Sequence, residues 1–167
     1  MCDAALQGRD LMGMKEKSDS VADILGRELE PTIKEWLRRV NLVSELMQIP
    51  LSDKDRTRHL PALFRDLIFR LRHAKDATGS ISAHAAAHGQ RRQEQGYSAA
   101  MLVEESRIFQ VVTFGMLHLH LGELDQRRLL LDVIVIADET DAQLMGAVRR
   151  LTAKGMAHPA ISQYPPH

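Results

Sequence analysis

Glu105 stands on a helical stripe that is otherwise apolar, and this placement constrains the fold more than any other feature of the chain. Met101, Glu105, Ile108, Val112 and Leu119 recur at spacings of 4, 3, 4 and 7, which is the period of one helix face. The neighbouring Glu104 points elsewhere. A carboxylate on a buried face needs a partner, because an unpaired charge in an apolar interior is very costly. The nearest candidate is Arg92 on the preceding helix, where His88, Arg92 and Gln95 share one face at i, i+4 and i+7. Gly96 lies between the two helices and fits a C-cap. Two helices are therefore expected to meet at a glycine corner with an ion pair inside. The plainer reading of that pair is structural, fixing how the helices meet; the sharper one is a switch.

The rest of the chain follows the same helical period. Ser20 to Asp23 reads as a capped helix start. Val21, Leu25, Leu29, Ile33, Trp36, Val40, Val43 and Met47 then recur at threes and fours, giving an amphipathic helix of about seven turns. Pro31 either kinks that helix or opens a second segment. Ile49-Pro50 ends it. After a turn-like lead-in from Ser52, Leu60, Leu63, Phe64, Leu67 and Leu71 form a second stripe, with Pro61 near its start. A polar loop is expected at 74–79. The third helix, from about Ser82 to Gln95, offers Ala83, Ala86 and Ala87 as a flat face for close helix approach. Ser98 caps a fourth helix that runs to about Leu121. Asp125 caps a long fifth one, with Leu130, Val133, Ile134, Ala137, Asp141, Leu144, Val148 and Leu151 on its face. No stretch alternates like a strand for more than a few residues. The expected fold is all-α, a four- to five-helix bundle with globin-like, non-haem packing. It would comprise an arm over 1–17, a helical domain over 18–155 and a linker or tail over 156–167.

Composition narrows the function. Lys plus Arg balances Asp plus Glu at 22 each, so no net field draws the chain to nucleic acid. Aromatic residues are 4% of the chain, too few for a base-stacking platform. Cys2 is the single cysteine, which excludes disulfides within the chain and fits a reducing, cytoplasmic setting. The longest apolar run, Leu129 to Ala137, contains Asp132 and is about half a membrane span, so no membrane insertion is expected. That same run is apolar on more than one face. One face would serve the chain's own core and the other a symmetry mate, giving a homodimer; full burial within a five-helix monomer is the competing explanation.

Catalytic chemistry finds little purchase, and no catalytic residue is assigned. His84 and His88, four apart, share a helix face and with Glu105 form a weak metal set, but Arg92 would then lose its partner and repel the ion. His118 or His120 as a haem ligand is the other metal reading. His88 as a phosphate acceptor of a phosphotransfer bundle is a third, although Ala87-His88-Gly89 lacks the lysine and the spacing of such motifs. No Ser/His/Asp order, Gly-rich phosphate loop or Glu-x-x-His pair occurs. No metal site, cofactor or enzymatic activity is expected.

His88-Gly89, Arg92, Gln95-Gly96-Tyr97, Leu102, Glu105 and Arg107, supported by the Trp36-to-Val40 pair and Leu60-Pro61-Ala62-Leu63, carry a family resemblance. The sequence resembles the N-terminal domain of RsbT co-antagonist (RsbRD-type) proteins, which also occurs at the N-terminus of bacterial sensor histidine kinases. The resemblance runs from about residue 20 to 154. Ser106 departs from it, standing where the family commonly has an aromatic residue. The resemblance implies a non-catalytic, dimerising signal-input domain of globin-like fold without haem, in two-component or stress-response signalling. Its partner would be a downstream output module, a kinase core or STAS-type domain, in cis or in trans. It also implies a polar hub of His88, Arg92, Gln95, Glu105 and Arg107, with Gly96 as the break between helices.

Overall fold

A computed structural model of the chain describes residues 19–73 and 83–153. The expected arm at 1–17, the loop at 74–79 and the tail at 156–167 lie outside the described residues. The elements are α1 (Val21–Arg27), α2 (Leu29–Val40), α3 (Ser44–Met47), α4 (Asp53–Thr57), α5 (Leu60–Arg72), α6 (Ala83–Glu94), α7 (Ala99–Leu119) and α8 (Gln126–Thr152). The fold is an all-α helical bundle. Among the described residues there is no strand, only one isolated bridge between Asp19 and Leu124.

Local chemistry sets the helix starts. The hydroxyls of Ser20, Ser52 and Ser98 accept from the backbone N–H three residues on, and the Asp125 carboxylate accepts from that of Arg127. The expected seven-turn first helix is three shorter ones. Glu28 interrupts it with φ −95° and ψ 16°, and Pro31 falls in the first turn of α2, where a missing N–H breaks no ladder bond. The chain leaves the helix again between Val40 and Ser44 before the single turn of α3.

The core gathers on α5. Leu60, Phe64 and Leu67 are fully enclosed, against Ile24 and Leu25 of α1 and Phe109 of α7. The Phe64 and Phe109 rings lie 4.5 Å apart at 38°. Trp36 and Val40 of α2 complete this core beside α7. The most extensive helix contact runs between α6 and α8. There Gly89 lies so near α8 that a Cβ on it would collide with the Ala147 carbonyl oxygen.

Three sequence expectations about faces are corrected. The close-approach face of α6 is Ala85, His88, Gly89 and Arg92, not Ala83, Ala86 and Ala87, because glycine and alanine at i and i+4 admit α8. Leu119 is 81% exposed, since Met116 takes the next place on the α7 stripe after Val112. The buried face of α8 is Ile136, Thr140, Gln143, Gly146 and Ala147, turned by roughly a third of a turn from the expected apolar stripe, of which Val133, Ala137, Leu144, Val148 and Leu151 are half-buried. Thr140 donates to the Ile136 carbonyl and Gln143 to that of Leu63, so their polar groups enter the interior satisfied. Among the described residues, no helix is long and apolar enough to cross a membrane.

Candidate functional site

The corner between α6 and α7 is built from backbone geometry first. Gly96 adopts φ +85°, the left-handed conformation that favours glycine. The Gly96 N–H donates to the Gln93 carbonyl at 3.0 Å and the Tyr97 N–H to that of Arg92 at 2.9 Å, closing α6 with a Schellman motif. The turn carries Tyr97 back over the end of α6, and α7 then brings Glu105 alongside Arg92.

The two charges meet side-on. Arg92 Nε lies 3.0 Å from Glu105 Oε2, and Nη2 lies 2.9 Å from Oε1. Both side chains are almost wholly buried. The remaining Arg92 donors reach Gln95 Oε1 at 2.8 Å and the Arg56 carbonyl at 2.9 Å. Tyr97 donates its hydroxyl to Glu105 Oε1 at 2.9 Å, and its ring lies 4.6 Å from the guanidinium carbon of Arg92. Trp36 closes the floor by donating its indole N–H to the Glu105 carbonyl at 3.3 Å. The expected hub thus holds Arg92, Gln95 and Glu105 together. His88 sits at its edge, with Nε2 3.6 Å from Glu105 Oε2. Arg107 does not belong to it. Its guanidinium points outward and pairs with the exposed side of α7 through Glu104 at 2.6 Å, because Arg107 falls two residues from Glu105 and so on another face.

Sequence reasoning missed Arg56 and His59. Arg56 on α4 is 1% exposed; its guanidinium donates to the Leu46 and Ile49 carbonyls and lies 3.4 Å from the Tyr97 hydroxyl. Its Nε has no hydrogen-bond partner. The signal was present, since Arg56, Leu60, Leu63 and Leu67 fall on one helical stripe. His59 precedes α5 and stacks on His88, ring centroids 3.8 Å apart and planes 9° from parallel, with Trp36 edge-on to it at 5.8 Å.

Electrostatics follow from burial. The interior holds two guanidiniums against one carboxylate, an excess of one positive charge. Burial and then the Arg92 and Arg91 charges push His88 down to about 3. Burial, His88 and the same two arginines hold His59 well below its ordinary value. Burial also raises the Glu105 carboxyl, against the opposing pull of Arg92 and the Tyr97 hydrogen bond. The Tyr97 hydroxyl is pushed up to about 12 by burial and by the Glu105 charge.

His59, His88 and Glu105 bring one ligand atom each within 4.8 Å of one another. They do not fit a metal ion. Two parallel stacked imidazoles aim their in-plane lone pairs along parallel lines, whereas an ion about 2.1 Å from each nitrogen needs them to converge. Arg92 moreover occupies both carboxylate oxygens. The expected partner His84 turns instead to Asp66 at 3.0 Å. The two candidate haem ligands also lie elsewhere: His118 is exposed and His120 bonds Glu123 at 2.7 Å. His88, enclosed by His59 and Glu105, offers no surface imidazole to a phosphodonor.

A cavity of about 30 Å³ adjoins the hub, lined by His59, His88 and Glu105 on one side and by Thr140, Gln143 and Ala147 of α8 on the other. A water-sized guest needs roughly 10–15 Å³, so this space can hold one. Set against family models, curated proteins and solved structures, the chain matches none of them.

Proposed function

We propose that the chain is a non-catalytic signal-input domain of a bacterial signal-transduction protein, working in the cytoplasm upstream of an output module. One observation carries the reading: Arg92 and Gln93, adjacent on α6, serve opposite ends of one relay. Arg92 sits in the hub, while Gln93 donates to the Leu151 carbonyl at 2.6 Å in the last turn of α8. Arg150 of that turn also reaches Gln90 at 3.2 Å. A change in the Arg92 pairing that rotated α6 would therefore displace the end of α8, the element from which a following module would be driven. Packed helices move between discrete arrangements rather than deforming smoothly, which suits a two-state relay. The cavity gives a small guest simultaneous contact with the hub and α8. The resemblance to RsbT co-antagonist and sensor-kinase N-terminal domains points the same way, as does a charged pair where leucines would pack.

The test replaces the pair with apolar residues, R92M together with E105L, in the full-length protein. Downstream output, read as kinase autophosphorylation or phosphorylation of a STAS-type module, is expected to become fixed while circular dichroism and cooperative melting persist. Unchanged output from a folded double variant would reduce the hub to packing and overturn the reading.

A further inference from the structure

A groove of about 350 Å³ runs between α2 and α7 on the side of the bundle away from α8. Pro31 and Thr32 of α2 line one wall, and Val112, Gly115, Met116 and Leu119 of α7 the other. Gly115 keeps the space open, since a Cβ there would meet nothing within 4 Å. Leu119 is 81% exposed. An apolar surface contiguous over two helices in this way marks a binding face.

The backbone directs one segment of this same chain towards the groove. Asp19 pairs with Leu124 in a parallel bridge, its N–H donating to the Glu123 carbonyl at 2.9 Å. In a parallel pair the residues before Asp19 run beside those before Leu124, past Glu123 towards His120 and Leu119. The Asp19 carboxylate also faces α2, because Arg27 joins it at 2.8 Å to Glu28 at 3.1 Å and to Glu123 at 2.6 Å. Glu28 and His120 both line the groove, and His120 holds Glu123 at 2.7 Å. The groove therefore begins where residues 1–18 join the bundle.

The chemistry of those residues matches this course. Asp19, Glu28 and Glu123 set three carboxylates around one guanidinium, an acidic excess. Lys17 precedes Asp19 by two residues, which puts it on the same side of an extended chain, and Lys15 repeats the spacing. Leu11, Met12 and Met14 come next, and methionine is the side chain that best fills an irregular apolar space. Five residues of chain reach up to about 17 Å from Asp19 to Met14. The α7 wall from Leu119 back to Val112 needs only about 10 Å. The cavity on the other face of α7, between Phe114, Leu117 and Val133, has no carboxylate in its lining to receive the lysines.

We propose that residues 11–17 fold back as a strap over the end of α7. Lys17 and Lys15 meet the Asp19–Glu28–Glu123 cluster, and Met14, Met12 and Leu11 fill the groove between α2 and α7. The strap is independent of the signalling reading, because the groove and the bridge stand apart from the Arg92–Glu105 hub.

Paramagnetic NMR on the full chain is the test. In a C2S background, a nitroxide attached through G13C is expected to erase the amide signals of Thr32 and Gly115 while those of Val133 and Leu71 survive. M12E with M14E should bring the erased signals back, and so should L119E from the opposite wall. Circular dichroism checks that each variant keeps its helices. Mixing the nitroxide-bearing chain with an isotope-enriched chain that carries no nitroxide should erase nothing. Erasure in that mixture would seat the segment on a second copy and overturn the proposal. Erasure centred on Val133 or Leu71 would place it in another cavity and do the same. Intact Thr32 and Gly115 signals, or a loss indifferent to M12E/M14E, would likewise overturn it.

Discussion

His59 and His88 lie face to face, 3.8 Å between ring centroids and 9° from parallel, beside the buried Arg92–Glu105 pair. Two stacked imidazoles next to an excess positive charge are tolerated only while neutral. Each added proton would bring like charge against Arg92, Arg91 and the other ring.

Acid should therefore unfold this chain from the hub. Both folded imidazoles titrate below the value of about 6.5 that an unfolded histidine shows. The unfolded chain binds more protons in that window, so stability is fully present above pH ~6.5 and is lost as pH falls toward the folded value. With His88 held at about 3, its contribution falls by about 1.4 kcal/mol per pH unit, or about 2 kcal/mol by pH 5. Glu105, whose folded value is raised, acts in the opposite sense as pH drops through that value and offsets part of the loss. Urea denaturation at pH 7 and pH 5 should show the decline, and H88Q should lessen it, leaving the share that the buried His59 carries. In NMR titrations the His88 ring should stay neutral from pH 8 to pH 5; a midpoint near neutrality would instead make it a proton sensor.

Glu105 on an apolar stripe, with Arg92 one helix earlier, was enough to place the ion pair, and Gly96 enough to place the corner. Serine and aspartate caps set four of the eight helix starts. The face of α8 was not legible, for a physical reason. Periodicity assigns the interior to the greasiest stripe, whereas here Thr140 and Gln143 enter it with their hydrogen bonds satisfied and Gly146 and Ala147 let α6 approach. The apolar stripe beside that face, half-buried over much of its length, is what the sequence shows most loudly. Arg56 was passed over because an arginine on a stripe reads as an exception unless its partners are known, and they are carbonyls of α3 and its following turn. His59 gains meaning only from its stack on a residue 29 positions away (88 − 59).

Removing one member of the buried pair should cost far more than removing both. R92M leaves the Glu105 carboxylate enclosed with only Tyr97 to donate to it, a loss of about 3–5 kcal/mol. In the R92M/E105L double variant the stranded charge is gone, and what remains is the Tyr97 hydroxyl and the Arg56 carbonyl without their partners, roughly 1–3 kcal/mol. The double variant should thus be more stable than R92M alone by chemical denaturation. Strict additivity of the two substitutions would mean that the residues do not interact in solution, and the hub would fail with them.

Three glycines separate close packing from backbone conformation and from neither. In G89A the new methyl meets backbone of α8, which cannot rotate away, so α6 and α8 must part and about 1–3 kcal/mol should be lost. Because α6 also carries Arg92 and grips the α8 end through Gln93, G89A should in addition disturb the fluorescence of Trp36, which bonds Glu105 and abuts His59. G96A has open space around its Cβ but a φ of +85°, so its cost, about 1 kcal/mol, is conformational and should leave that fluorescence nearly unchanged. G115A, within α7 and with nothing near its Cβ, should stabilise the chain by about 0.5–1 kcal/mol through helix propensity alone. Thermal melts of the three variants order as G115A above wild type, then G96A, then G89A. If G89A melted with the wild type, α6 and α8 would not be in the close register on which the relay depends.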